Sequence, residues 1–266
     1  MNFTLKIMGT ASAMPISDRN PSAQVLSVHG RLFLIDCGEG TQQQLRRHKL
    51  SFLKIEAVFL SHLHGDHVFG IFGLLSTMAM LGRTQELHIY APRAFGDVLR
   101  FFLSAFGDGI AYEIIHHPLE MQAPEVVHTS RYVEVRAFPL RHKIECYGFR
   151  FDELVSKRRP ANEPFRTRSY AYCSDTMPFP ELAQWVKGVD VLYHESTYPA
   201  EMADKAAARF HSTSLQAAEC ARDAGVGRLL LGHYSSRVRD LSVYAREAQA
   251  VFPDTVAADD GDTFDF

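Results

Sequence analysis

The stretch "LSHLHGDHVFG" (60–70) sets three histidines and an aspartate within six positions, directly after an apolar run. Imidazoles this dense are poorly suited to packing, because a neutral ring wants hydrogen-bond partners that an apolar core lacks. The order His62-x-His64-x-Asp66-His67 has a direct physical reading. In an extended loop, residues two apart point the same way, so His62 and His64 can share one cation. Gly65 then permits a tight turn that carries Asp66 and His67 to a second cation nearby. The bland alternative is a set of solvated histidines at the end of a strand.

Working outward, short apolar runs alternate with helical patterns. "FTLKIMG", "RLFLID", "EAVFLSH", "ELHIYAP", "RYVEVRAFPL", "SYAYCSD", "VDVLYHE" and "RLLLGH" read as strands bounded by turn residues. Helices are predicted over 41–48, 68–81, 180–187, 200–209, 214–224 and 239–251, with 68–81 apolar nearly all round and therefore buried. That alternation predicts an α/β fold with helices covering sheets. His142 follows "RYVEVRAFPL", Asp175 follows "SYAYC" and His233 follows "RLLLG", so each ends a strand as His62 does. If those strands run in similar directions, four ligand-bearing loops meet at one sheet edge, where α/β folds place their sites.

The ligand count then closes. His62, His64 and His142 offer one cation three nitrogens; Asp66, His67 and His233 offer a second cation two nitrogens and a carboxylate oxygen. Asp175 can bridge both, and a hydroxide between the metals completes each shell. Imidazole-plus-carboxylate sites suit two Zn²⁺, with Mn²⁺ or Fe²⁺ as alternatives. Two cations about 3.5–4 Å apart are a usual arrangement for hydrolysing phosphate esters.

These residues resemble the metallo-β-lactamase superfamily, and within it the ribonuclease Z family of tRNA 3′-processing endonucleases. The narrower resemblance is carried by "LIDCGEGTQQQL" (34–45), "SHLHGDHVFG" (61–70), "HEST" (194–197), "HST" (211–213) and "GHYSSR" (232–237), and it covers almost the whole chain. It implies a metallo-β-lactamase-type αβ/βα four-layer sandwich, a single domain over 1–266, with the dinuclear site at one edge. It also implies a zinc-dependent endoribonuclease that removes 3′ trailers from precursor tRNA, a metal-bridging hydroxide attacking phosphorus while Asp66 takes its proton. Family members generally form homodimers.

The resemblance assigns further residues. Asp36, which closes a strand, is read as a group that orients the ligand loop rather than as an ordinary helix cap. Glu195 and His211 are implied to form a pair near the leaving oxygen, a histidine held by a carboxylate being a sensible proton donor. His194, its neighbour, points to the other side of an extended segment. "PISDRN" (15–20) is a turn by composition. In the family a Pro-x-Lys-x-Arg-Asn segment lies here and influences where the cut falls; Pro15, Arg19 and Asn20 match, while Ser17 replaces the lysine. Arg19, Asn20 and Arg237 are candidate contacts to substrate phosphate. The family carries a long Gly/Pro-rich arm that grips tRNA between the positions of His142 and Asp175. That interval is too short for it here and holds instead a basic loop at 156–168, with Lys157, Arg158, Arg159, Arg166 and Arg168.

Composition narrows the classes. With 266 residues and a net charge of −3, the chain can bury a sizeable core but is no general nucleic-acid coat, so a polynucleotide must be held by local patches. No charged lead before an apolar stretch marks a signal peptide, and no apolar run is long enough to span a membrane. Cys37, Cys146, Cys173 and Cys220 lack paired short spacing, which reads as buried thiols in a reducing cytoplasm. Two other functions fit less of the pattern: a dinuclear hydrolase of small phosphodiesters such as cyclic nucleotides, and a tRNA-binding scaffold whose site has decayed.

Overall fold

The structure is a computed structural model that describes residues 3–154 and 166–266. The chain forms two compact units. One spans Thr4–Glu120 with Asp259–Asp265; the other spans Met121–Ala258, with Phe3 and Phe266.

The first unit is built on a seven-stranded sheet in the order Thr263–Asp265, Phe3–Gly9, Ala23–Val28, Arg31–Ile35, Ile55–Phe59, Leu87–Pro92, Ile114–Leu119. The strands from Arg31–Ile35 onward pair in parallel, whereas Ala23–Val28 and Arg31–Ile35 form an antiparallel pair. Parallel strands are covered on their faces, which is why Ile55–Phe59 reads as an almost unbroken apolar run. On one face Leu34, Val58 and Ile89 pack under Leu74, Leu75 and Met78 of the helix Ile71–Met80, and under Phe95, Leu99 and Phe102 of the helix Phe95–Phe106.

The second unit holds another mixed seven-stranded sheet, in the order Thr255–Ala257, Arg228–Gly232, Val191–Glu195, Ser169–Cys173, Tyr147–Glu153, Val133–Pro139, Glu125–Thr129. The first three junctions are parallel and the last three antiparallel. Two successive antiparallel steps restore direction, so Val133–Pro139 runs the same way as Ser169–Cys173, Val191–Glu195 and Arg228–Gly232. The loops that follow these four strands therefore leave one edge of this sheet. They carry His142, Asp175, Thr197 and His233. Ala217, Ala218 and Ala221 of the helix Ser214–Ala224 pack on Leu192, Leu229 and Leu231, small side chains letting the helix lie close to the strands.

All eight expected strands are present. Six more, Ala23–Val28, Ile114–Leu119, Glu125–Thr129, Tyr147–Glu153, Thr255–Ala257 and Thr263–Asp265, complete the sheets. The helix expected over 68–81 is two helices, Gly65–Val68 and Ile71–Met80. It is also not buried all round: Leu75 is fully covered while Met80 is 79% exposed. The helix Phe95–Phe106 was not anticipated. No helix among the described residues is long and apolar enough to cross a membrane.

Of the basic loop, Lys157, Arg158 and Arg159 lie outside the described residues. Arg166 pairs with Asp190, and the Arg168 backbone N–H donates to Glu153 Oε2 at 3.1 Å.

The two faces of Ile71–Met80 make a clear test. Leu75→Ala should cost about 2–5 kcal/mol, as removal of buried methyl groups does. Met80→Ala should stay within about 0.5 kcal/mol, as exposed substitutions do. Urea unfolding followed by circular dichroism reads both.

Candidate metal centre

In the first unit, the strands Arg31–Ile35 and Ile55–Phe59 lie side by side in parallel and deliver Asp36 and the histidine loop to the same edge. Asp36 is fully buried and sits at φ 54°, in the left-handed region. Its Oδ1 accepts the Ser61 backbone N–H at 2.7 Å; its Oδ2 accepts the Ser61 hydroxyl at 2.9 Å and His67 Nδ1 at 2.7 Å. Since the Ser61 proton is given to Asp36, Ser61 Oγ can only accept from His62 Nδ1, 3.0 Å away. One carboxylate thus fixes the tautomers of two rings, His67 directly and His62 through a serine. Each is left with a bare Nε2 lone pair. His62 Nε2 lies 3.0 Å from His64 Nδ1, and His67 Nε2 lies 3.6 Å from Asp66 Oδ2. Asp66 Oδ2 is itself held by the Ala13 backbone N–H at 2.7 Å.

The glycine of "CGEG" has a reason here. A Cβ on Gly38 would lie 2.4 Å from the Asp66 carbonyl oxygen, so only glycine lets the turn after Asp36 approach the ligand turn. Cys37, alongside, is buried, and burial pushes its thiol up to about 12.

In the second unit the same logic recurs on different residues. His233, at φ 59°, turns its Nδ1 to Thr197 Oγ1 at 2.9 Å. His142 donates Nδ1–H to the Phe210 carbonyl at 3.0 Å. Both rings therefore present Nε2 as an acceptor, and both face Asp175: His233 Nε2 at 3.2 Å from Oδ1, His142 Nε2 at 3.6 Å from Oδ2. Asp175, His211 and His233 group closely enough to share an ion. Burial holds His142 below the ordinary histidine range, with nearby Asp175 acting against it, so the ring favours its neutral form. Gly232, before His233, is another close approach: a Cβ there would lie 1.9 Å from the Tyr193 hydroxyl.

Within each unit these lone pairs face a carboxylate oxygen or another ring nitrogen 3.0–3.6 Å away, and His62, His67, Asp175 and His233 are buried. Acceptors facing acceptors in low dielectric repel unless a proton or a cation lies between them. The chemistry of the set, imidazole nitrogen with carboxylate oxygen, suits divalent transition metals. The residues fit a metal.

Glu195 has another role. Fully buried, it accepts from Thr176 N–H (3.1 Å), Ser212 N–H (2.9 Å) and His211 Nδ1 (3.0 Å) on Oε1, and from Thr197 N–H and its hydroxyl (both 2.8 Å) on Oε2. Burial alone would raise its carboxyl, but the neighbouring His211 and these hydrogen bonds outweigh it and hold it well below the usual carboxylate range. "HST" reads residue by residue. His211 bonds Glu195, Ser212 ties to Glu195 and to the Thr176 carbonyl, and Thr213 forms a capping box with Gln216 that starts the helix Ser214–Ala224. His194, on the other side of its strand, is buried and donates to the Glu195 carbonyl.

The candidate substrate contacts are placed differently. Arg19 is buried, and Asn20 gives its backbone N–H (2.7 Å) and side-chain amide (2.9 Å) to Asp260 Oδ2. Arg237 is exposed. Sequence reasoning assigned no role to Ser61, Thr197 or the Phe210 carbonyl, which set the rings, although "SHLHGDHVFG" and "HEST" contain the first two.

Residues 31–234 match the Beta-lactamase superfamily domain. Ribonuclease Z of Bacteroides thetaiotaomicron is 38% identical, over 96% of this chain and 93% of its own length. The chain belongs to the ribonuclease Z family. Ribonuclease Z of Porphyromonas gingivalis is 36% identical, with 97% of each chain covered. Among solved structures, human tRNase Z, short form, matches at a TM-score of 0.81 and 27% identity over 98% of both chains. Two mixed sheets with their helices are the metallo-β-lactamase fold. The alignment with the Bacteroides enzyme runs over 293 positions, more than the 266 residues here, so that ribonuclease Z carries residues this family member lacks.

Gly38→Ala should leave overall secondary structure intact by circular dichroism yet cut bound metal, measured by atomic emission, to less than half of wild type. The added methyl would press on the Asp66 carbonyl, in the ligand turn, and on Pro21.

Proposed function

We propose that this chain is a metal-dependent endoribonuclease that removes 3′ trailers from precursor tRNA. In this reading His62, His64 and His142 would hold one Zn²⁺, Asp66, His67 and His233 would hold another, and Asp175 would offer its carboxylate to both. Asp36 orients the ligand loop from behind. What carries the reading is the set of imidazoles locked with their lone pairs turned on carboxylates, in a chain of this family. Bound there, the ions would supply the Lewis acidity that polarises a phosphodiester and acidifies water at neutral pH. The free thiols, buried at Cys37, Cys146 and Cys173 and half-buried at Cys220, fit a reducing cytoplasm, and the family resemblance favours a homodimer.

The protein's own groups do the rest. Asp66, steadied at Oδ2 by the Ala13 N–H, orients the attacking water and accepts its proton. His211 turns Nδ1 to Glu195, so Nε2 is the atom that can hand a proton to the departing ribose 3′-oxygen. An ionised Glu195 stabilises the positive ring that this step needs. The products are a tRNA 3′-hydroxyl and a 5′-phosphorylated trailer.

Wild-type protein loaded with zinc should cleave a precursor tRNA near its mature 3′ end, with products sized to the nucleotide. Hydrolysis of cyclic nucleotides without RNA cleavage would replace this reading with that of a small-phosphodiester hydrolase. Asp66→Ala should abolish turnover of any phosphodiester. His211→Ala should slow RNA cleavage by about 10²–10⁴-fold, the usual worth of a general acid, but spare an activated aryl ester whose leaving group needs no proton. Equal losses on both substrates would remove His211 from the donor role.

Acidity gives an independent check. The ligands bind as neutral imidazoles, so protonation competes with metal. His142 is held below its ordinary value and stays neutral through neutral pH. Metal content after dialysis should therefore hold steady at neutral pH and fall as pH drops below about 6, toward the range where histidine charges. Retention of full metal at pH 4 would contradict the imidazole ligand set.

A further inference from the structure

We propose that the Phe210 ring is a stacking platform for a base of the RNA substrate, beside the residue that protonates the leaving oxygen. This rests on the reading of the chain as an RNA-cleaving enzyme and adds a substrate contact to it.

The helix Ala203–Ala208 ends in a Schellman motif. The Phe210 N–H bonds the Ala207 carbonyl at 3.1 Å, and the His211 N–H bonds the Ala206 carbonyl at 2.9 Å. Phe210 occupies the left-handed position of that motif, at φ 60°. Glycine or asparagine is the ordinary choice there, and a bulky side chain is an outlier. The backbone explains why the conformation is kept. This turn delivers His211 to Glu195, and the Phe210 carbonyl takes the His142 proton. What residue 210 itself contributes, its N–H and its carbonyl, is main chain, so glycine would serve those bonds equally well.

The backbone does not explain the ring. It is 40% exposed, and no ring or cation contact to it occurs among the described residues. A strained, solvent-facing aromatic directly before a proposed catalytic histidine points to use rather than packing. Its chemistry names the partner: an exposed π face stacks on nucleobases with little regard to sequence. Arg209, beside it and also exposed, offers charge to a phosphate. A small phosphodiester that lacks a base would gain nothing from the ring.

The test compares Phe210→Asn and Phe210→Trp in the zinc-loaded enzyme. Both are assayed on precursor tRNA and on bis(p-nitrophenyl) phosphate. Asparagine tolerates the left-handed turn, so the melting temperature should equal or exceed that of wild type. KM for precursor tRNA should rise about five- to a hundredfold, and by at least about fivefold more than any change on the small ester. Tryptophan should bring precursor tRNA KM back to within about threefold of wild type. Equal losses on both substrates, an unchanged precursor tRNA KM, or a tryptophan variant no better than asparagine would each overturn the proposal. So would a melting temperature lowered by more than about 5 °C, which would mean that the ring is part of the packing. An active wild type with an unaffected asparagine variant defeats this inference alone. A wild type inert on precursor tRNA defeats the RNA reading beneath it.

Discussion

An oxygen that takes the proton from one nitrogen of an imidazole decides which way the ring's lone pair points. Everything chemical in this protein depends on that constraint being imposed four times. Asp36 imposes it on His67 and, through Ser61, on His62; Thr197 imposes it on His233, and a backbone carbonyl on His142. The rings gain both a tautomer and an orientation, and side chains that would otherwise rotate become fixed lone pairs suited to a metal. The strand ends serve this purpose. They bring a carboxylate, a hydroxyl or a carbonyl to the back of each ring before any ion arrives.

Local conformation is bent to the same end. Six non-glycine residues among those described have positive φ, and four of them, Ala13, Asp36, Phe210 and His233, carry or hold a site residue. Asp36 and His233 belong to residue types that tolerate this region; Ala13 and Phe210 do not. Such strain persists only where surrounding bonds over-determine it. Glu195 is the clearest source of that over-determination. Its two oxygens gather three separate stretches of chain, around Thr176, Thr197 and His211 to Ser212. The stretches that carry Asp175, Thr197 and His211 are thus set against one another by a single buried carboxylate, and His233 is tied to it through Thr197.

Much of this was legible in the sequence, and the physical reason for each success or failure is visible. The parallel strands read clearly because covering on both faces demands long apolar runs. Strands such as Ile114–Leu119 and Glu125–Thr129 escaped notice: they lie at sheet edges, their side chains are mostly half-buried or exposed, and their apolar signal is diluted by histidine and glutamate. The helix over 68–81 was misjudged because Gly70 breaks it and because apolar residues at its end face solvent. The histidine loop announced itself by density, and the distant His142, Asp175 and His233 by their place after strands. Ser61 and Thr197 could not be found this way. A lone hydroxyl residue has no pattern, and its meaning lies in which ring it meets once the chain has folded.

Cys37 sits beside Asp36, the carboxylate that holds the His67 ring and, through Ser61, the His62 ring, and burial pushes its thiol up to about 12. Cys173 is likewise driven well above the ordinary thiol range, and Cys220 to about 12. Only thiolates capture zinc or react readily with peroxides and alkylating agents. Held toward the thiol form, Cys37, Cys173 and Cys220 offer such reagents little thiolate.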